Sequence, residues 1–218
     1  MRSAKCPRTI GFDASTYIKP DVARQYFKAG YRFVMRYLNT SEYFRETPDT
    51  EYPVSLSAQE LHELTDIGFY VGLVQFTSGC RNGAAKGKAM AFNAAGLGVP
   101  DGVHLFASAE MWEGVPWPTV KAFLVDWQNN ARNHDGHSYR RALYNEPKVD
   151  WGDNPSHNIY MLPGYTSYWA SAAMVPMVAN RGCALNQGTQ FDRLMGACVD
   201  QDHCRIDYCG GRPYMVVK

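Results

Sequence analysis

Apolar runs of strand length alternate along this chain with segments of helical period, and that alternation constrains the fold more than any other feature. Repeated βα units lay successive strands side by side in parallel, because each helix carries the chain back to the edge where it started. The first strand is Thr9-Ile10-Gly11-Phe12-Asp13-Ala14-Ser15. Residues 20–28 read as a short helix opened by Pro20-Asp21 and closed by Ala29-Gly30, ahead of a second strand over residues 31–38. Ser57-Ala58-Gln59-Glu60 has the form of a capping box for a helix through Asp66, with Gly68 as its stop and residues 69–76 as the third strand. Small residues over 82–95 make another helix, halted by Gly96-Leu97-Gly98-Val99-Pro100 before a fourth strand over residues 102–109. Residues 118–133 set Val120, Phe123, Leu124 and Trp127 on one helical face, and residues 139–144 form the fifth strand. Beyond it the pattern weakens. Residues 165–170, 183–187 and 204–208 are short strand candidates, and residues 145–156, rich in Pro, Asp and Asn, read as an irregular rim loop.

With 218 residues and no low-complexity linker, the alternation fits one domain over residues 9–218 behind an N-terminal extension, residues 1–8. The residues admit two α/β architectures, a barrel or an open sheet. Twenty-two basic residues against 21 acidic ones leave a charge of +1 without long runs, so neither a nucleic acid nor an anionic membrane is an expected partner. No apolar stretch is long enough to span a membrane, and residues 1–8 carry positive charge with no apolar segment behind them, so no Sec-type export signal is expected. Six cysteines, Cys6, Cys80, Cys183, Cys198, Cys204 and Cys209, are too few for a disulfide scaffold. Cys198, His203, Cys204 and Cys209 lack the Cys-x2-Cys knuckle of a zinc site, and no metal is expected. A disulfide from Cys198 to Cys204 or from Cys183 to Cys209 stands beside free buried thiols as the alternative.

Two strands deliver an acid at their C-terminal ends, where a parallel barrel does its chemistry: Asp13 after the first, Glu110 after the fourth. Paired carboxyl groups suit glycosidic cleavage, in which one protonates the leaving oxygen and the other stabilises the oxocarbenium ion or activates water. Glu110 precedes Met111-Trp112, where an aromatic ring can line a sugar site or lift the carboxyl pKa. Asp13 has a plainer reading as the cap of the following helix. Arg36 and Tyr37 end the second strand, Gln75 the third and Tyr144 the fifth, each a candidate for sugar hydroxyls; for Arg36 a structural ion pair is the equal alternative. Trp112, Trp117, Trp151, Tyr165, Tyr168 and Trp169 fall in rim loops or at strand ends, where flat rings stack on sugars, although plain packing suits Trp117 and Trp127. His104 lies inside a strand and reads as a core histidine. No nucleophile elbow, Walker loop, Rossmann glycine triplet or His-Glu-x-x-His motif occurs, and no cofactor is expected.

Gly11-Phe12-Asp13, the run from Ala29-Gly30-Tyr31 to Tyr37-Leu38, Leu56-Ser57, and Ala95-Gly96-Leu97-Gly98-Val99-Pro100-Asp101-Gly102 together resemble the glycoside-hydrolase-like barrel domains related to family 25 lysozymes. The similarity covers nearly the whole chain and is strongest over residues 9–110. It implies a single (β/α)8-like barrel, irregular in its C-terminal half, that binds or cleaves peptidoglycan or a related amino-sugar glycan. Asp13 matches the family's first-strand aspartate, Glu110 the second acid of the fourth-strand pair, Gln187 the glutamine of a late Trp-Gln pair and Asp207 the aspartate of the last strand. Where family 25 lysozymes place the first acid of that pair this chain has Ser108, and the residue before the glutamine is Asn186. The departure leaves two expectations: a hydrolase in which the substrate's own acetamido group replaces the missing acid, or a glycan-binding module with reduced chemistry, such as a phage virion or tail component docked beside other virion proteins. Either implies a phage-associated or extracellular, cell-wall location.

Overall fold

The computed structural model describes residues 1–38, 53–77, 80–109, 112, 114–145, 162–171, 185–192, 199–204 and 211–218. Its elements run β1 (Arg2–Lys5), β2 (Ile10–Ala14), α1 (Pro20–Lys28), β3 (Phe33–Tyr37), α2 (Ala58–Ile67), β4 (Tyr70–Phe76), α3 (Gly83–Gly96), β5 (His104–Ala109) and α4 (Trp117–Ala131). There follow β6 (Asn133–His134), β7 (His137–Ser138), β8 (Arg140–Asn145), β9 (Ser167–Ser171), β10 (Leu185–Asp192), β11 (Val199–Cys204) and β12 (Tyr214–Val217). The result is a mixed α/β fold around one curled sheet. Hydrogen bonding runs β4-β3-β2-β11-β10-β9-β8-β5, and β5 pairs in turn with β4.

The expected eightfold βα repeat holds for the first half only. β2, β3, β4, β5, β8, β9 and β10 lie parallel, but β11 runs antiparallel to both β10 and β2. Among the described residues there are four longer helices, all before residue 132. β11 ends at Cys204, so it takes in only the first residue of the strand expected over residues 204–208, and residues 205–208 lie outside the described residues. β11 is rich in polar residues, so apolar periodicity could not mark it. The N-terminal segment is part of the sheet rather than an extension beside it, since β1 pairs along its length with β12, which in turn pairs with β4 at Val216 and Val71.

Strand alternation divides the apolar residues into two layers. Outward residues such as Phe12, Val34, Leu73, Leu105 and Leu143 pack against the helices, and inward residues such as Phe33, Met35, Val74, Phe106, Tyr144 and Trp169 fill the space the sheet encloses. Crowding inside dictates two glycines. A side chain at Gly11 would lie 2.5 Å from the Phe33 ring, and one at Gly72 would collide with the Met35 sulfur. The small-residue helix α3 crosses α4 closely for the same reason: a Cβ at Gly83 or Gly87 would strike the backbone carbonyl of Phe123 or Trp127.

The capping box at α2 is half formed. Ser57 Oγ accepts from the Glu60 amide at 3.1 Å, but the Glu60 carboxylate turns inward to other partners. Cys6, Cys80 and Cys204 are free buried thiols, and Cys204 packs against the Cys6 carbonyl rather than being tied to Cys198. Cys183, Cys198 and Cys209 lie outside the described residues.

Candidate functional site

β2 delivers Asp13 onto the inner wall near its C-terminal end, and antiparallel pairing sets Asp200 of β11 directly across from it. Asp202, two residues on, faces the same interior. Sequence reading missed both acids. The signal was the alternation Asp200, Asp202, Cys204, which puts two carboxylates on one face of a strand.

Gln187 of β10 joins these groups. Its Nε2 donates to Asp13 Oδ2 at 2.8 Å and to Asp200 Oδ2 at 2.9 Å, while its Oε1 accepts from the Tyr144 hydroxyl at 2.6 Å. Trp169 donates its indole N–H to Asp202 Oδ1 at 2.9 Å, and its ring lies against Tyr144 with centroids 4.0 Å apart. Burial pushes the Asp200 carboxyl up to about 6, where it exchanges protons near neutrality. Asp202 is driven well above the usual carboxylate range by complete burial and then by the charge of Asp13, with the Trp169 hydrogen bond working the other way. The cluster therefore sets two carboxyl groups of raised pKa beside Asp13 on one wall.

Asp13 is not a helix cap, since the N-terminus of α1 is flanked by Lys19 with no side-chain cap. Tyr37 and Ser108 also face the interior, both buried, with Ser108 paired in register to Tyr144. Three expected sugar ligands lie elsewhere. Arg36 points outward, fully buried, with Nε 2.8 Å and Nη2 3.0 Å from the two Glu60 oxygens and its remaining bonds to the Ala14 and Val54 carbonyls. Gln75 also faces the helices, donating to the Lys86 carbonyl and accepting from Trp127 Nε1 at 2.6 Å. Trp112 is buried, its N–H on the Thr77 carbonyl and its ring edge-on to Phe123. All three are structural because strand alternation and loop packing turn them into the outer core. Tyr165 and Tyr168 are buried there too, so much of the aromatic surplus serves packing. Glu110, Asp207 and Trp151 lie outside the described residues.

His104 is the core histidine expected. Its Nδ1 accepts from the Tyr214 amide at 2.8 Å and its Nε2 lies 2.9 Å from Thr166 Oγ1. Among the described residues no group of His, Cys, Asp and Glu is arranged to hold a metal ion, and no helix is long and apolar enough to cross a membrane.

A family model described as the Rv2525c-like, glycoside hydrolase-like domain matches residues 25–201. Solved structures share the fold at low identity. A protein from B. stearothermophilus superposes with a TM-score of 0.64 at 18% identity, covering 90% of this chain and 95% of its own. A muramidase from Acremonium alcalophilum gives 0.59 at 15% identity, covering 92% and 95%, and a family GH25 lysozyme from Aspergillus fumigatus gives 0.56 at 14%, covering 90% and 93%. No curated protein sequence matches the chain.

Proposed function

Since the chain belongs to the Rv2525c-like family of glycoside hydrolase-like domains, we propose that it acts as a lysozyme-like glycosidase on peptidoglycan or a related amino-sugar glycan. The observation that carries this reading is the carboxyl cluster at the inner wall: Asp13 and Asp200 face each other across two strands, bridged by Gln187, with buried Asp202 behind them. Glu110, which follows β5 directly, is the proton donor to the leaving oxygen. Asp13 and Asp200 face the charge that develops on the sugar ring, and with Ser108 in place of the family acid the substrate's acetamido oxygen supplies the nucleophile, which one of these carboxylates orients. The muramidase and lysozyme among the structural neighbours support the substrate class by likeness of fold.

A second reading is favoured by one observation. Ser108 is fully buried and contributes no acid, which suits a barrel that keeps a glycan cleft without turnover. Release of reducing ends from purified peptidoglycan separates the two, measured for the wild type and Glu110→Gln with cell-wall pelleting alongside. The glycosidase releases ends and the variant falls by at least about 100-fold. Pelleting of both without release establishes the binding module, and neither release nor pelleting rejects both readings.

A further inference from the structure

We propose that Gln187, held by Tyr144, is a positioning residue that makes Asp13 and Asp200 one hydrogen-bonded unit and decides which Asp200 oxygen carries its proton. A primary amide has two hydrogens and one oxygen, and here the nitrogen donates to both carboxyl groups at 2.8 and 2.9 Å while the oxygen accepts from Tyr144 at 2.6 Å. Both amide hydrogens are engaged and none remains to donate to a sugar hydroxyl, so Gln187 is placed to act on substrate through the acids it holds. The chemistry fixes its orientation. An ionised carboxylate only accepts and the Tyr144 hydroxyl donates, so a flipped amide would set its oxygen against two acceptors.

The bridge also answers a like-charge problem. Asp13 and Asp200 occupy directly opposed register positions, where two negative groups repel unless donors lie between them. Because Asp200 Oδ2 accepts from the amide, its proton goes to Oδ1, and the paired Asp13 keeps its own Oδ2 engaged. Among the described residues, the other titratable groups around the unit are Asp202 on β11, tied to Trp169 and interacting with Asp13, Tyr144 itself on β8, and Tyr37 on β3, which faces the same interior. The Arg36–Glu60 pair stands on the outer face of β3.

The use of this unit in catalysis rests on the glycosidase reading; the hydrogen-bonded coupling does not. Carboxyl carbon NMR follows it directly, by titrating the wild type, Gln187→Leu and Tyr144→Phe after near-UV circular dichroism has shown each to be folded. Losing a donor to the ionised form raises a carboxyl pKa, so the Asp200 midpoint rises by about one unit in Gln187→Leu and by less, in the same direction, in Tyr144→Phe. An unchanged midpoint in both variants overturns the proposal. Should Gln187→Leu not fold, Tyr144→Phe, which removes only a hydroxyl, decides alone. Absence of reducing-end release by the wild type at every pH would reject the glycosidase reading and leave this titration intact.

Discussion

Raising the pKa of a carboxyl group costs the folded state at every pH where the unfolded chain would ionise freely, so Asp200 trades stability for a proton held near neutrality. Its pKa rises from 3.8 to about 6 on folding. Stability from the protonated form is complete below the unfolded value and is lost as pH climbs through 6. Asp200→Asn should therefore unfold at higher denaturant than the wild type at pH 7, by about 1 kcal/mol once its partial exposure is allowed for, with the gain gone at pH 4. Urea titrations at the two pH values measure this, and a gain equal at both would assign the effect to something other than ionisation. Asp13 and Gln187 were legible in the sequence because one ended an apolar strand and the other matched a family motif. Asp200 and Asp202 were not, because an acid-rich strand carries no apolar period to mark it.

Helices were read closely from the chain and late strands poorly, for a physical reason. A helix announces itself through caps and a 3.6-residue stripe: α1 spans the expected residues 20–28, and Gly68, at φ 111°, closes α2 in the left-handed conformation glycine favours. Late strands line an interior that mixes polar with apolar groups, which removes the contrast. What helices meet is less visible. The α3 glycines looked like ordinary small residues, yet Gly83 and Gly87 are where α4 comes against α3. Gly83→Ala and Gly87→Ala should each destabilise by about 1–3 kcal/mol despite alanine's better helix propensity, whereas Gly96→Ala, with nothing within 4 Å of its added methyl, should stabilise by up to about 1 kcal/mol. Chemical denaturation of the three variants tests the contrast. The Arg36–Glu60 pair joins β3 to α2 on the same principle of hidden partners. Glu60→Gln leaves a buried guanidinium uncompensated and should cost about 3–5 kcal/mol, while the double variant Arg36→Met/Glu60→Leu should recover most of that loss.

At the scale of the molecule the two ends of the enclosed sheet do different work. The acids gather toward the C-terminal ends of the parallel strands, and the other end is sealed by the chain termini, with Cys6 and Met215 in the inner core and the β1–β12 ribbon laid along β4. Truncation of residues 1–8 should accordingly lower stability rather than leave the domain intact, because it strips β12 of one of its two neighbours and empties the place of Cys6; a thermal melt of the truncated protein measures it. His104 pins this seal by accepting the Tyr214 amide, which requires a bare Nδ1 and hence a neutral ring. Burial is the main cause that lowers its pKa from 6.5 to about 3, with the charges of Arg140 and Arg141 adding to it. A depressed histidine contributes stability that is whole above the unfolded value and is lost as pH falls toward the folded one, since the unfolded chain takes up the proton first. Between pH 6 and 3.5 the wild type should therefore lose up to about 1.4 kcal/mol per pH unit more than His104→Asn, whose amide oxygen can accept from Tyr214 without titrating. Parallel slopes for the two proteins would show that the acid lability of the fold arises elsewhere than at the point where β5 meets the C-terminal strand.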